Sequence, residues 1–68
     1  MRAITTAVDF PPGARVRVVR LVCAAGAVVG DEGTVLSALD HHDRRTTVDV
    51  QMNSGRRDIF YSDELEVT

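Results

Sequence analysis

The chain has 68 residues and a formal net charge of −2, with 44% hydrophobic and 26% charged residues. This length allows one small domain, and the composition excludes collagen-like, coiled-coil and fully disordered chains. No apolar stretch approaches the ~20 residues of a membrane span, and the start of the sequence does not resemble a signal peptide. The single cysteine, Cys23, excludes an intrachain disulfide, so we expect a reducing, cytoplasmic location.

Residues 1–11 are predicted to be an N-terminal extension, and residues 12–68 to form the domain. Residues 4–8 have the composition of a strand, and Pro11-Pro12 then blocks continuation of a hydrogen-bonded ladder. The extension is therefore either a loosely held tail or an additional edge strand.

Alternating hydrophobicity predicts five short strands. Val16 and Val18 alternate with arginines in the first strand, and Val48, Val50 and Met52 share one face of the third. The second, third, fourth and fifth strands are predicted at residues 34–39, 46–52, 56–61 and 66–68. A hairpin turn at residues 53–55 and a single helical turn at 62–65, capped by Ser62, join the later strands.

Residues 22–33 are predicted to form a long loop, because three glycines in this stretch disfavour a helix. A sheet of five short strands with no long helix must curl to hide its core. The sequence therefore predicts an all-β fold, a small five-stranded barrel with one 3₁₀ turn before the last strand.

The motifs within residues 12–67 resemble SH3-like β-barrels, especially KOW-type and related small bacterial SH3-like domains. The resemblance is carried by four motifs, Pro-Gly-x-x-Val-x-Val from Pro12, Gly-Asp-Glu-Gly-Thr-Val from Gly30, Val-x-Val from Val48 and Phe-x-x-x-Glu-Leu from Phe60. It implies that Gly30 and Gly33 belong to a sharp turn that needs a glycine φ, and that Val35 then points inward.

Members of this family contact RNA or proteins through their loops, or serve as accessory parts of enzymes, so the resemblance is informative about fold rather than function. The loop before Gly30 lacks the basic residues usual in KOW domains. The chain also has no Trp and only Phe10, Phe60 and Tyr61 as aromatic residues, which disfavours recognition of proline-rich peptides.

A partner-binding surface is predicted in the loop at residues 22–29, because this segment is unusually apolar for a loop. Its candidate contact residues are Val22, Ala24, Ala25, Ala27, Val28 and Val29. The alternative is that Val28 and Val29 fold back over the mouth of the barrel. An exposed patch of this kind marks a contact with another protein or with a second copy of the chain.

The arginines offer a second candidate surface, for RNA or DNA. Its residues are Arg44, Arg45, Arg56, Arg57 and Tyr61, with Arg15, Arg17 and Arg20 as further members of a basic face. Tyr61 either stacks on a base or caps the barrel end. The simpler interpretation, favoured by the net negative charge, is that these arginines pair with Asp43, Asp49 and Asp58.

No metal site, cofactor or catalytic centre is predicted. The Asp40-His41-His42-Asp43 run is interpreted as a turn, since adjacent residues rarely reach one metal ion together, and Cys23 as a buried or loop thiol. We therefore expect a non-catalytic protein-interaction or accessory module. A nucleic-acid-binding domain and a small regulatory subunit of an enzyme complex are the alternatives.

Overall fold

The computed structural model describes residues 7–20, 27–41 and 45–68. The described part contains five strands and two single 3₁₀ turns, and no longer helix. The strands are β1 (Arg15–Val18), β2 (Glu32–Leu39), β3 (Thr47–Met52), β4 (Arg57–Tyr61) and β5 (Leu65–Val67), and the 3₁₀ turns are Ala7–Asp9 and Ser62–Glu64. The predicted all-β class is confirmed.

All five strands form one antiparallel sheet in the order β4-β3-β2-β1-β5. The pairings of β2 with β3 and of β3 with β4 are hairpins. The pairing of β1 with β2 is made across the predicted loop. The fourth joins β1 to β5, with Val16 opposite Val67. The sheet curls around its core, but β4 and β5 each pair with one neighbour, so hydrogen bonds between them do not close the cylinder. This arrangement is consistent with an SH3-like fold.

The core consists of the inward faces of the strands, as the alternation predicts. Val48 and Val50 on β3 and Phe60 on β4 are fully buried, and the register places Val48 opposite Phe60. The remaining buried apolar residues are Phe10, Val16, Val18, Ala27, Val35, Met52 and Leu65. Burial of these apolar side chains is the main contribution to the stability of the fold.

Gly33 does not belong to the predicted turn. It lies inside β2, between Val16 on β1 and Met52 on β3, and its φ is not positive. A Cβ atom built at this position would lie 2.6 Å from the carbonyl oxygen of Gln51. Gly33 is therefore required by the close approach of β3 rather than by a turn conformation, whereas Gly30, with φ 101°, does occupy a turn.

Ser62 is not the cap of the second 3₁₀ turn, contrary to the prediction. Tyr61 holds the N-cap position, and its backbone N–H donates to Oε1 of Glu64 at 2.7 Å. Ser62 is the first residue of the turn and is buried, as is Glu64. The carbonyl of Glu64 in turn accepts from the backbone N–H of Val19 at 2.8 Å, which ties the turn to the end of β1.

The N-terminal segment contributes to the core. Ala7–Asp9 forms a 3₁₀ turn, and Phe10 directly after it is buried among the core residues. The described residues before β1 contain no additional strand, and the larger part of the predicted strand-like segment, residues 4–6, lies outside the described residues. The segment is thus attached to the sheet through a large aromatic side chain.

Candidate protein-docking surface

A tight turn at residues 28–31 (the 28–31 turn) leads from the β1–β2 loop into β2. The backbone N–H of Asp31 donates to the carbonyl of Val28 at 3.0 Å, and Gly30 supplies the positive φ at the third position. The carboxylate of Asp31 accepts from the backbone N–H of Val28 at 3.1 Å. Two hydrogen bonds between Val28 and Asp31 therefore stabilise the turn.

The 28–31 turn is also fixed to the end of β1. The N–H of Gly30 donates to the carbonyl of Val18, and the N–H of Val18 donates to the carbonyl of Asp31, both at 2.8 Å. Val18 is itself a core residue. The backbone of the turn therefore holds a defined position relative to the sheet.

Val28 and Val29 point into solvent, each with 60% of its surface exposed. Ala27 is different from what the sequence suggested, since it is 7% exposed and packs in the core, so its side chain is not offered to a partner. The other predicted contact residues, Val22, Ala24 and Ala25, lie outside the described residues, as does Cys23. Two adjacent exposed valines on a fixed turn are thus the described part of the predicted surface.

The described arginines are mostly neutralised by carboxylates. Arg57 donates from Nε and Nη2 to both oxygens of Asp49, with the shortest distance 2.6 Å, and this contact raises the pKa of Arg57. Arg56 lies 3.4 Å from Asp58. The other ion pairs are Arg15–Glu32, Arg17–Glu66 and Arg45–Asp63. The pairing of arginines with Asp49 and Asp58 matches the simpler interpretation, and Asp43 lies outside the described residues.

The candidate nucleic-acid residues do not converge on one patch. The register sets Thr47 opposite Tyr61 and Gln51 opposite Arg57, so Arg45 and Arg57 lie at opposite ends of the β3–β4 hairpin, six residue positions or roughly 20 Å apart along the strand. The guanidinium of Arg45 lies over the ring of Tyr61, 4.9 Å from the ring centroid. Arg45 thus covers one face of the half-buried Tyr61 side chain. Arg44 is outside the described residues.

Asp40 links the N-terminal turn to the sheet. Its Oδ1 accepts from the hydroxyl of Thr46 at 2.6 Å and from the backbone N–H of Ala7 at 2.7 Å. The hydrogen bond from Thr46, followed by that from Ala7, lowers the pKa of Asp40. His41 contacts the hydroxyl of Thr47 at 2.9 Å. No cluster of three metal-ligating side chains occurs in residues 7–20, 27–41 and 45–68.

The Asp40 contact predicts a specific response to acid. Because the pKa of Asp40 is lowered by folding, its contribution to stability is complete above the unfolded-state pKa and is lost as the pH falls through the lower folded-state value. In an NMR titration, the amide shift of Ala7 is expected to change with a midpoint below 3.8, the ordinary pKa of Asp40. Asp40→Asn keeps an acceptor oxygen and should abolish this titration.

Asp40→Ala removes the acceptor altogether, and amide exchange at Ala7 is expected to accelerate. Amide exchange at Val50, a buried residue in the centre of β3, serves as the internal control and should stay slow. Unchanged amide exchange at Ala7 in Asp40→Ala would contradict the conclusion that this carboxylate links the N-terminal turn to the sheet.

Leu39 and Ile59 are further exposed apolar residues in the sheet. Leu39 at the end of β2 and Ile59 in the middle of β4 are 61% and 59% exposed, on the outer face of the sheet. Adjacent residues of a strand point to opposite faces, so the inward position of Phe60 requires Ile59 to point outward.

None of the helical segments in the described part of the chain is long and apolar enough to span a membrane. Comparison of the chain with protein-family models, with curated proteins and with solved structures finds no match.

Proposed function

We propose that the chain is a small non-catalytic protein-interaction or accessory module built on an SH3-like barrel of the KOW type, and that it docks another protein through the 28–31 turn. The observation that carries the proposal is the exposure of Val28 and Val29 on a turn whose backbone is fixed by hydrogen bonds. Fixed apolar side chains bind with little loss of conformational entropy, which is what a docking surface requires.

The charge distribution supports a protein partner over RNA or DNA. Arg45, Arg56 and Arg57 each have a carboxylate within 4 Å, so phosphate would have to displace an existing partner. The net charge of −2 also opposes approach of a polyanion. An enzyme subunit remains within the class of partners that this surface suits.

The test compares proteins retained by the immobilised chain with those retained by a Val28→Asp/Val29→Asp double variant. Burying two valines contributes roughly 1.5–3 kcal/mol each, so we expect the double variant to bind the same partner at least about 100-fold more weakly. Val8→Asp is the matched control, because Val8 is an equally apolar side chain, 85% exposed, on the N-terminal 3₁₀ turn.

Retention of the same proteins by the double variant would contradict the proposal. So would binding of generic RNA at low salt that is lost in Arg45→Ala/Arg57→Ala, because that result would assign the function to the arginines. Circular dichroism of each variant establishes that the fold is kept.

A further inference from the structure

The outer edge of β4 has backbone hydrogen-bonding groups that no neighbouring strand uses. The N–H of Met52 donates to the carbonyl of Arg56, and the N–H of Ser62 donates to the carbonyl of Thr46. Since hydrogen-bonded and non-hydrogen-bonded pairs alternate in an antiparallel ladder, the even-numbered residues of β4 bond to β3. The N–H and C=O groups of Arg57, Ile59 and Tyr61 consequently point away from the sheet.

Ile59 lies at the centre of this edge. Within the part of the chain that the structure describes, its backbone groups have no hydrogen-bonding partner, and its side chain is one of the most exposed apolar side chains. The N–H of Tyr61, by contrast, is already bonded to Glu64. No proline or register shift interrupts β4, so it lacks features that commonly protect an edge strand from pairing.

The edge of β4 is basic at one end and acidic at the other, so two antiparallel copies of it have complementary charges. Arg56 and Arg57 stand at the beginning of β4, and Asp63 follows its end. The side chain of Asp63 is 44% exposed, and its contact with Arg45, at 3.8 Å, is longer than a hydrogen bond. An antiparallel copy of the strand would bring each basic end close to an acidic end, twice over by symmetry, in addition to the pairs that Arg56 and Arg57 make with Asp58 and Asp49.

We propose that β4 pairs antiparallel with β4 of a second copy of this chain, on a two-fold axis at Ile59. The N–H of Ile59 in each copy donates to the carbonyl of Ile59 in the other. The N–H of Arg57 in each copy donates to the carbonyl of Tyr61 in the other, and needs no N–H from Tyr61. The two sheets then continue into one, and the pairing uses a surface separate from the 28–31 turn.

The register follows from the side chains. A two-fold axis at Asp58 would set two carboxylates opposite each other, which opposes association. The axis at Ile59 sets two isoleucines opposite each other and sets Arg57 opposite Tyr61. Charge complementarity and the apolar centre thus select the same arrangement.

Sedimentation and amide exchange test the pairing together. The strand is short, so we expect a weak dimer, with the average mass rising from 7.4 kDa towards twice that value between about 10 µM and about 1 mM. Over the same range, amide exchange at Ile59 should slow, while exchange at Val29 stays constant. This measurement on the unaltered chain does not depend on any variant folding.

Ile59→Pro removes the outward N–H without removing a bond to β3, and Ile59→Lys sets two ammonium groups against each other on the axis. Both variants should stay at 7.4 kDa, and the exposed-surface control Val8→Lys should dimerise as the unaltered chain does. A monomeric unaltered chain, dimers of both Ile59 variants, or concentration-dependent protection at Val29 instead of Ile59 would each overturn the proposal. The first result would leave the edge to an extended segment of a different protein.

Discussion

Gly33→Ala is expected to lower the free energy of unfolding by about 3 kcal/mol. The added Cβ would lie 2.6 Å from the carbonyl oxygen of Gln51, 2.7 Å from Cγ1 of Val50 and 3.1 Å from Cα of Met52. Rotation of the valine can relieve only one of these contacts, because the other two atoms belong to the backbone of β3. The β2–β3 pairing would have to separate locally at the centre of the sheet.

A loss of this size matters for such a short chain. At roughly 0.05–0.15 kcal/mol per residue, a domain of 68 residues has a total stability of about 3–10 kcal/mol. Urea unfolding followed by circular dichroism measures the change in midpoint. Gly30→Ala is the matched control: its φ of 101° is strained for alanine, but nothing lies within 4 Å of the added atom.

We expect Gly30→Ala to cost only about 1 kcal/mol, the penalty of the left-handed conformation alone. Equal losses in the two variants would contradict the explanation, because they would show that the distance between β2 and β3 at Gly33 is not the restricting factor.

Phe60→Ala is expected to cost about 3–5 kcal/mol, enough to unfold much of the population at room temperature. The side chain of Phe60 is fully buried, and the register sets it opposite Val48. Its removal takes the largest side chain out of a core that has few others, and the surrounding strands cannot collapse onto the space without losing their pairing.

Ile59→Ala supplies the control on the same strand, because Ile59 is the neighbouring residue and points to solvent. We expect a change within about 0.5 kcal/mol for the unpaired chain, measured in dilute solution by thermal and urea unfolding. A destabilisation by Ile59→Ala that approaches that of Phe60→Ala would mean that the two faces of β4 are not distinguished as described.

The alternation of Val48, Val50 and Met52 was predictable from the sequence, because period two assigns each residue to a face. Period two also places Ile59 and Phe60 on opposite faces of β4, but it does not decide which of them is inward. The requirement for glycine at position 33 was not predictable, because the sequence cannot show that β3 lies so close to the α-carbon of this residue. Nor could Ala27 be assigned to the core, because a loop residue has no periodicity that reveals its direction.

The arginine surface illustrates the same limit. The acidic residues near Arg56 and Arg57 were visible in the sequence, but only the β3–β4 register decides that Asp49 comes within 2.6 Å of Arg57. The same register determines that Arg45 lies at the far end of the hairpin. Composition therefore predicted neutralised arginines, whereas their separation required the pairing of the strands.

The pairing of β1 with β5 has a consequence for how the protein is made. Val16 lies opposite Val67, so β1 receives its second neighbour only after the intervening strands β2, β3 and β4 have been translated. During synthesis, β1 has an open side until β5 has left the ribosome. The sheet is thus completed after translation of β5, and contacts so distant along the chain favour slow folding.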